Sequence, residues 1–500
     1  AVVGAGIGGI AVAIRLARLG YAVTVFERNA YPGGKLSAFE QDGYRFDAGP
    51  SLFTLPERVE ELFRLCGEDP AAQFPYERLD EVCRYHWEDG TRLRAPADAD
   101  AFAGAVEEAL GEPAGRVRDF LRRSATYYDL VGSLFLYRSL HRADTFLNKA
   151  ALRAVARLPE LGVFNTMHRA NAATFRDPRL VQLFNRFATY NGSDPYQTPA
   201  LLNIIPHLEH NVGAFFPKGG MHAITTRLVA LAERQGVRFR LNAPVRRVVQ
   251  AGGRVRGVQV GGEVFAAPVV VSNADVVSTY RYLLPDQRPP RRLLEQPKSS
   301  SALIFYWGMA EAFPELGLHN IFFSGDYARE FRAIFQEQTV SDDPTVYVNI
   351  TSKLAPDDAP AGGENWFVRV NVPNDVGQNW DEITDRTRRA VQLKVSRMLG
   401  RDVAGTIRTE ALLDPRTIEA RTASTQGALY GNSSNNRYAA FLRHANFSRR
   451  VRGLYFCGGS VHPGGGVPLA MLSARITANL VAERDGEKHV LLDTPAPARA

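Results

Sequence analysis

Ala1-Val2-Val3-Gly4-Ala5-Gly6-Ile7-Gly8-Gly9 opens the chain, and its reading decides the fold. Ala1 to Val3 reads as the tail of a buried strand, and the glycines read as a tight turn. Ile10 to about Leu19 reads as a helix ended by Gly20, and Tyr21 to Phe26 as a second strand closed by Glu27. A parallel strand normally runs about five or six residues, so a few residues are expected ahead of Ala1. Strand, GxGxxG, helix, strand and acid follow in the order of a dinucleotide-binding fingerprint, with Glu27 lying 18 residues after Gly9. Each glycine has a task. Gly4 permits the turn, Gly6 lets the backbone approach a pyrophosphate, and Gly9 lets helix pack on strand. The helix N-terminus then stabilises the phosphate charge, and Glu27 is placed to accept hydrogen bonds from a ribose diol.

The whole chain has 500 residues, which at roughly 150 per domain suggests about three units. A composition that is 45% hydrophobic can bury a large core. Cys66, Cys83 and Cys457 show neither CxxC nor zinc-ligand spacing, so neither a disulfide framework nor a metal is expected, and a reducing cytoplasm is. The net charge of +7 favours an anionic partner. The basic residues are scattered and carry no nucleic-acid motif, which points away from nucleic acid and leaves an acidic lipid surface. No window reaches the 18 uncharged apolar residues of a spanning helix. The apolar stretch from Ala1 to Ile14 has no charged segment before it and is not read as a signal peptide.

After Glu27 come Tyr31-Pro32-Gly33-Gly34-Lys35-Leu36 and Phe46-Asp47-Ala48-Gly49-Pro50-Ser51-Leu52. With the fingerprint, these segments resemble the flavin-dependent amine-oxidase and phytoene-desaturase superfamily. The resemblance implies FAD as cofactor, with Gly34, Lys35, Ser51 and Leu52 beside it. A reductase that also binds a pyridine nucleotide would show a second strand–GxGxxG–helix unit. The glycines at 252–253 and 261–262 lie in a hairpin-like stretch and do not supply one.

The resemblance extends along nearly the whole chain. Pro217-Lys218-Gly219-Gly220-Met221 opens a helix over His222 to Arg234, and a meander follows over Arg246 to Ala266. Val269-Val270-Val271-Ser272-Asn273-Ala274-Asp275 then reads as a buried strand. By analogy the Val245 backbone meets the adenine and Asn273 the ribose–diphosphate half. Leu454-Tyr455-Phe456-Cys457-Gly458-Gly459 and His462-Pro463-Gly464-Gly465-Gly466-Val467-Pro468, leading into a helix near Leu469, resemble the closing stretch of bacterial carotenoid desaturases. Gly459, Val467, Pro468 and Met471 are thereby placed at the cofactor. Cys457 admits a covalent flavin link, but a cysteine on a buried strand reads better as core.

The expected fold is α/β: a Rossmann-like FAD-binding domain assembled from residues 1–52, 211–290 and 421–486. A mixed-sheet substrate domain is expected from 53–111 and 291–420, a helical membrane-facing subdomain from 112–210, and a disordered tail from 487–500.

The resemblance implies desaturation of a long apolar polyene in carotenoid biosynthesis. Asn191-Gly192-Ser193-Asp194-Pro195-Tyr196 and Leu318-His319-Asn320-Ile321-Phe322-Phe323 look most like the 1-hydroxycarotenoid 3,4-desaturase branch. A phytoene/lycopene-type desaturase, an amine or protoporphyrinogen oxidase, and a non-catalytic prenyl-binding chaperone of the GDI type are the alternatives. No nucleophile elbow, metalloprotease motif or isolated carboxylate pair marks a catalytic residue. An apolar tunnel is expected, with Tyr190, Tyr196, Phe305 and Trp307 as candidate aromatic walls; plain sheet core is an equal reading of Phe305 and Trp307. Phe146 to Leu158 carries a basic stripe (Lys149, Arg153, Arg157) beside an apolar one. That suits peripheral binding to the anionic inner face of the cell membrane as well as it suits an ordinary solvated helix. Oxygen or a quinone is the expected electron acceptor.

Overall fold

A computed structural model describes residues 1–132, 136–142, 145, 162–435 and 443–486. The Phe146–Leu158 segment and the 487–500 tail lie outside the described residues.

Five short strands that are far apart in sequence form one parallel sheet, ordered Leu454–Phe456, Val270–Ser272, Val2–Val3, Thr24–Phe26 and Arg238–Arg240. Val2, Val3, Val25, Val270 and Val271 are all buried, as a sheet covered on both faces requires. Alternation divides them. Val2, Val25, Val271 and Tyr455 pack against the helices Ile7–Arg18, His222–Arg234 and Val467–Arg484. Val3, Phe26, Val270 and Phe456 face the antiparallel meander Val245–Ala251, Arg254–Val260 and Glu263–Ala266.

The first helix begins at Ile7, a turn earlier than the glycines suggest. Gly8 and Gly9 lie inside it because close packing overrides their weak helix propensity. A Cβ on Gly9 would sit 2.1 Å from the Gly4 carbonyl oxygen, and one on Gly8 3.1 Å from the Gly458 Cα. The second strand is shorter than expected, Thr24–Phe26. The last helix starts at Val467, since Pro468 is tolerated in a first turn that needs no N–H donor.

A seven-stranded mixed sheet forms the other half, ordered Ile407–Leu413, Ser301–Met309, Glu364–Val372, Val346–Ile350, His319–Phe322, Glu81–His86 and Arg92–Pro96. Its pairs are antiparallel except His319–Phe322 with Glu81–His86. One face is covered by the helix Trp380–Leu399, through Trp380, Val391 and Val395. The other meets the hairpin Ala38–Gln41/Tyr44–Asp47, turned by Asp42 and Gly43 at positive φ. Asp47 then ties this hairpin to the first sheet's helix layer, because its carboxylate accepts from the backbone N–H groups of Met221 (2.8 Å) and His222 (3.0 Å).

Between residues 99 and 212 the described elements are helical, including Ala99–Leu110, Ala114–Val131, Met167–Thr174 and Pro178–Asn185. They share one apolar core with the Glu81–His86 edge of the mixed sheet. Among the described residues, no helix is long and apolar enough to cross a membrane.

Candidate functional site

The C-terminal ends of the parallel strands open into a cavity of about 840 Å³ that runs to the mixed sheet. This crevice is where open parallel sheets bind nucleotides. Gly4 follows the first strand, Glu27 the second and Asn273 the fourth in chain order, and all three line it. At Gly6 the first helix starts with no side-chain cap, so its leading N–H groups are free for an anion. A Cβ on Gly6 would meet Asn273 Oδ1 at 2.7 Å, and one on Gly34 would come 3.4 Å from the Gly6 Cα. Backbone therefore walls this end, as close approach to a diphosphate demands. Glu27 is buried; its Oε2 accepts from Ala5 N at 2.8 Å and its Oε1 from Asn29 N at 2.9 Å.

Gly33 and Gly34 turn at φ +108° and +59°, and Gly33 N donates to Ala5 O at 2.7 Å, pinning the second glycine pair against the first. Lys35 follows on the cavity wall. Its ammonium donates to Leu429 O at 2.6 Å, and burial pushes it down to about 8, with Asp275 partly opposing. Ser51, Leu52 and Val245 also line the cavity. So do Gly459, Val467 and Pro468, where a second uncapped helix N-terminus points inward from Gly466. The donor set fits a flavin dinucleotide: two helix N-termini, glycine walls, and a buried carboxylate at the strand end.

Met471, placed at the cofactor by resemblance, stands away from the cavity, as does Gly9, which the fingerprint assigns to helix–strand packing. Gly9 is packed under the turn, where it lets helix meet strand. Met471 lies about one turn further along the helix than Val467, on nearly the same face, and is packed into the core at that depth, 3% exposed. Cys457 is core as well; burial pushes its thiol up to about 12.

The candidate tunnel aromatics separate. Tyr190 lines the cavity. Tyr196 packs instead on His168 and Phe331. Phe305 and Trp307 are a correction: they sit on the sheet face covered by the helix Trp380–Leu399, stacked on each other, with Trp307 Nε1 donating to Glu410. Alternation puts Ile304 on the cavity side in their place.

Sequence reading missed the polar part of the wall. Arg186 Nη2 donates to Glu209 Oε1 at 2.8 Å and to the Tyr85 hydroxyl at 3.0 Å, and the Tyr190 hydroxyl donates to Glu209 Oε2. Both members of the ion pair are buried, and the guanidinium holds the Glu209 carboxyl below its usual range despite that burial. Also at the cavity, Ser51 Oγ lies 2.9 Å from the Tyr347 hydroxyl, which lies 2.7 Å from His319 Nδ1. Burial holds His319 down at about 4, hence neutral. One available signal was a charge inside the apolar run Leu183-Phe184-Asn185-Arg186-Phe187.

The flavin-containing amine oxidoreductase family model matches residues 7–482. A 1-hydroxycarotenoid 3,4-desaturase of Flavobacterium sp. (strain P99-3) is 48% identical over 480 residues, 96% of this chain and 98% of that protein. A 4,4'-diapolycopene oxygenase of Methylomonas sp. is 31% identical over 96% of this chain and 97% of that protein. In structure, a putrescine oxidase triple mutant with redesigned cofactor binding superposes with a TM-score of 0.63 at 16% identity, covering 97% of this chain and 98% of that one. The chain therefore belongs to the flavin-containing amine oxidoreductase family and is an FAD-dependent oxidoreductase.

Proposed function

We propose that this enzyme is a carotenoid desaturase that introduces a 3,4 double bond next to the hydroxylated end of a 1-hydroxycarotenoid. The observation that carries this reading is the 48% identity, over nearly the full length of both chains, to a 1-hydroxycarotenoid 3,4-desaturase. The cavity supports it, since beyond the nucleotide end its wall includes Val82, Ile304, Ile321 and Leu413. Such a surface takes a hydrocarbon.

We assign the diphosphate to the backbone around Gly4 and Gly6, the ribose to Glu27, and the adenine to the Val245 backbone. Gly34, Lys35, Ser51, Leu52, Gly459, Val467 and Pro468 hold the remainder. Bound there, FAD would supply the two-electron acceptor for a hydride. The allylic carbon that loses the hydride leaves a cation spread over the conjugated segment. That charge acidifies the neighbouring C–H, whose proton passes to water or a weak base as the new double bond forms. The chain's own task is to hold the polyene, exclude bulk water and align one C–C bond. Oxygen or a quinone would be the final electron acceptor.

Discontinuous strands support the division into an FAD-binding domain (1–52, 211–290, 421–486), a mixed-sheet substrate domain and a helical subdomain. A polyene dissolved in a bilayer calls for peripheral attachment to the anionic inner face of the cell membrane, tested by flotation with anionic liposomes.

The deciding experiment is anaerobic mixing of the FAD-loaded enzyme with 1-hydroxycarotenoid in liposomes. Flavin bleaching with a red shift of the polyene bands is the expected result. Bleaching by phytoene instead would move the enzyme to an earlier desaturation, and bleaching by no carotenoid would overturn the reading.

A further inference from the structure

A charged pair in the wall of a hydrocarbon cavity needs a reason. Buried ion pairs are commonly no more stabilising than apolar residues of the same volume, so packing alone does not account for Arg186 and Glu209. Their side chains are 10% and 2% exposed, and both line the cavity. Arginine carries five N–H groups. Nη2 makes two bonds, to Glu209 and Tyr85, and Nη1 makes one to the Tyr190 hydroxyl at 3.3 Å. Nε–H is buried without a partner among the described residues.

His319 is in the same condition. Asn349 Nδ2 donates to Leu318 O at 3.0 Å, which identifies that atom as the amide NH2, and the same group lies 3.1 Å from His319 Nδ1. Nδ1 is therefore the acceptor of the neutral ring, and Nε2 carries the proton. Nε2 is also buried without a partner among the described residues. Two donors of this group thus go unmatched at the cavity, as does Nε of Arg369, which borders the same cavity.

Their position relative to the flavin is given by a short relay. Ser51, assigned to the flavin, bonds Tyr347, and Tyr347 bonds His319. His319 in turn lies in the field of both Glu209 and Arg186. The polar group is thus a neighbour of the flavin site and not a feature of a remote tunnel end.

We propose that Arg186, Glu209, Tyr190 and His319 form a subsite for an alcohol, which seats the hydroxylated end of the polyene and so selects the bond that reacts. The proposal rests on the carotenoid reading above. In a 1-hydroxycarotenoid only C2 separates the hydroxyl-bearing carbon from the C3–C4 bond. A hydroxyl held beside His319 therefore brings that bond, and no bond further along the chain, to the flavin. An alcohol is both donor and acceptor, so it suits a wall that offers N–H donors and a carboxylate together.

The test compares two polyenes of equal length, with and without the terminal hydroxyl, by kcat/KM for anaerobic flavin bleaching and by quenching of protein fluorescence on binding. Two variants are used: Tyr190→Phe, and the double Arg186→Leu/Glu209→Leu, which removes both charges so that neither is left unpaired. Flavin absorbance and Tm establish folding. The wild type is expected to prefer the hydroxylated polyene. In the double variant this preference should fall by about 10- to 100-fold, the range of one lost charge-assisted hydrogen bond. Tyr190→Phe should show a smaller fall of about 3- to 10-fold. The non-hydroxylated polyene should change by less than about twofold. Equal losses for both polyenes, or an unchanged ratio in Tyr190→Phe, would overturn the subsite while leaving the desaturase reading intact. Wild-type flavin that neither polyene bleaches would overturn the desaturase reading, and the subsite with it.

Discussion

The Glu27 carboxylate lies 2.8 Å from the backbone nitrogen of Ala5, inside the glycine turn it is supposed to serve. Its second oxygen accepts from Asn29 at 2.9 Å. The acid at the end of the second strand therefore holds the turn in shape and still has lone pairs for a ribose. Replacing Glu27 by Gln exchanges one acceptor for a donor and removes the charge. FAD affinity should drop about tenfold while folding costs only about 1 kcal/mol. Equilibrium dialysis with flavin fluorescence measures the first and thermal unfolding the second. A Kd unchanged by the substitution would assign Glu27 to the turn alone.

Gly9 and Gly104 both lie in helices, yet they should respond oppositely to alanine. At Gly9 the new Cβ would be 2.1 Å from a backbone oxygen, and at Gly104 nothing lies within 4 Å. Gly9→Ala should lose about 1–3 kcal/mol and most of its bound flavin, read as the visible-to-ultraviolet absorbance ratio. Gly104→Ala should gain about 0.4–1 kcal/mol by restricting the unfolded chain.

Trp307 is fully buried behind the mixed sheet and away from the cavity. Trp307→Leu should cost about 2 kcal/mol of stability through a cavity and leave the rate of flavin reduction per folded molecule within twofold. A selective loss of rate would return Trp307 to the substrate path.

His210 is stacked on Phe102 with no hydrogen bond to either ring nitrogen among the described residues, and burial holds it at about 4 although the Glu209 carboxylate, 3.9 Å from Nε2, opposes this. Its unfolded value is near 6.5. Between those values the unfolded chain binds the proton and the folded chain does not, so stability falls as pH is lowered from about 6.5 toward 4. The loss assigned to His210 is about 2 kcal/mol at pH 5. His210→Leu should therefore flatten the fall of Tm between pH 7 and pH 5, and an equally steep fall would show the ring to be protonated in the native state.

The nucleotide end was legible because its demands are local. A turn beside a helix N-terminus needs glycines at fixed spacing, and Glu27 follows from one short strand, so about thirty residues carry the whole signal. The buried strands Val270–Ser272 and Leu454–Phe456 were legible for a related reason: a parallel strand covered on both faces must be apolar throughout. The faces of the substrate half were not. Alternation showed that Phe305 and Trp307 share one side of a strand, but period 2 is blind to which side meets a cavity and which meets Trp380–Leu399. Met471 failed for a different reason: one turn of helix, ~6 Å along the axis, leaves a residue on nearly the same face but carries it from the cavity end into the core. Arg186 and Glu209 are 23 residues apart and joined only through the helical packing between them. No spacing rule links such a pair, because only the folded chain brings the two charges together, where their attraction offsets the cost of desolvating both.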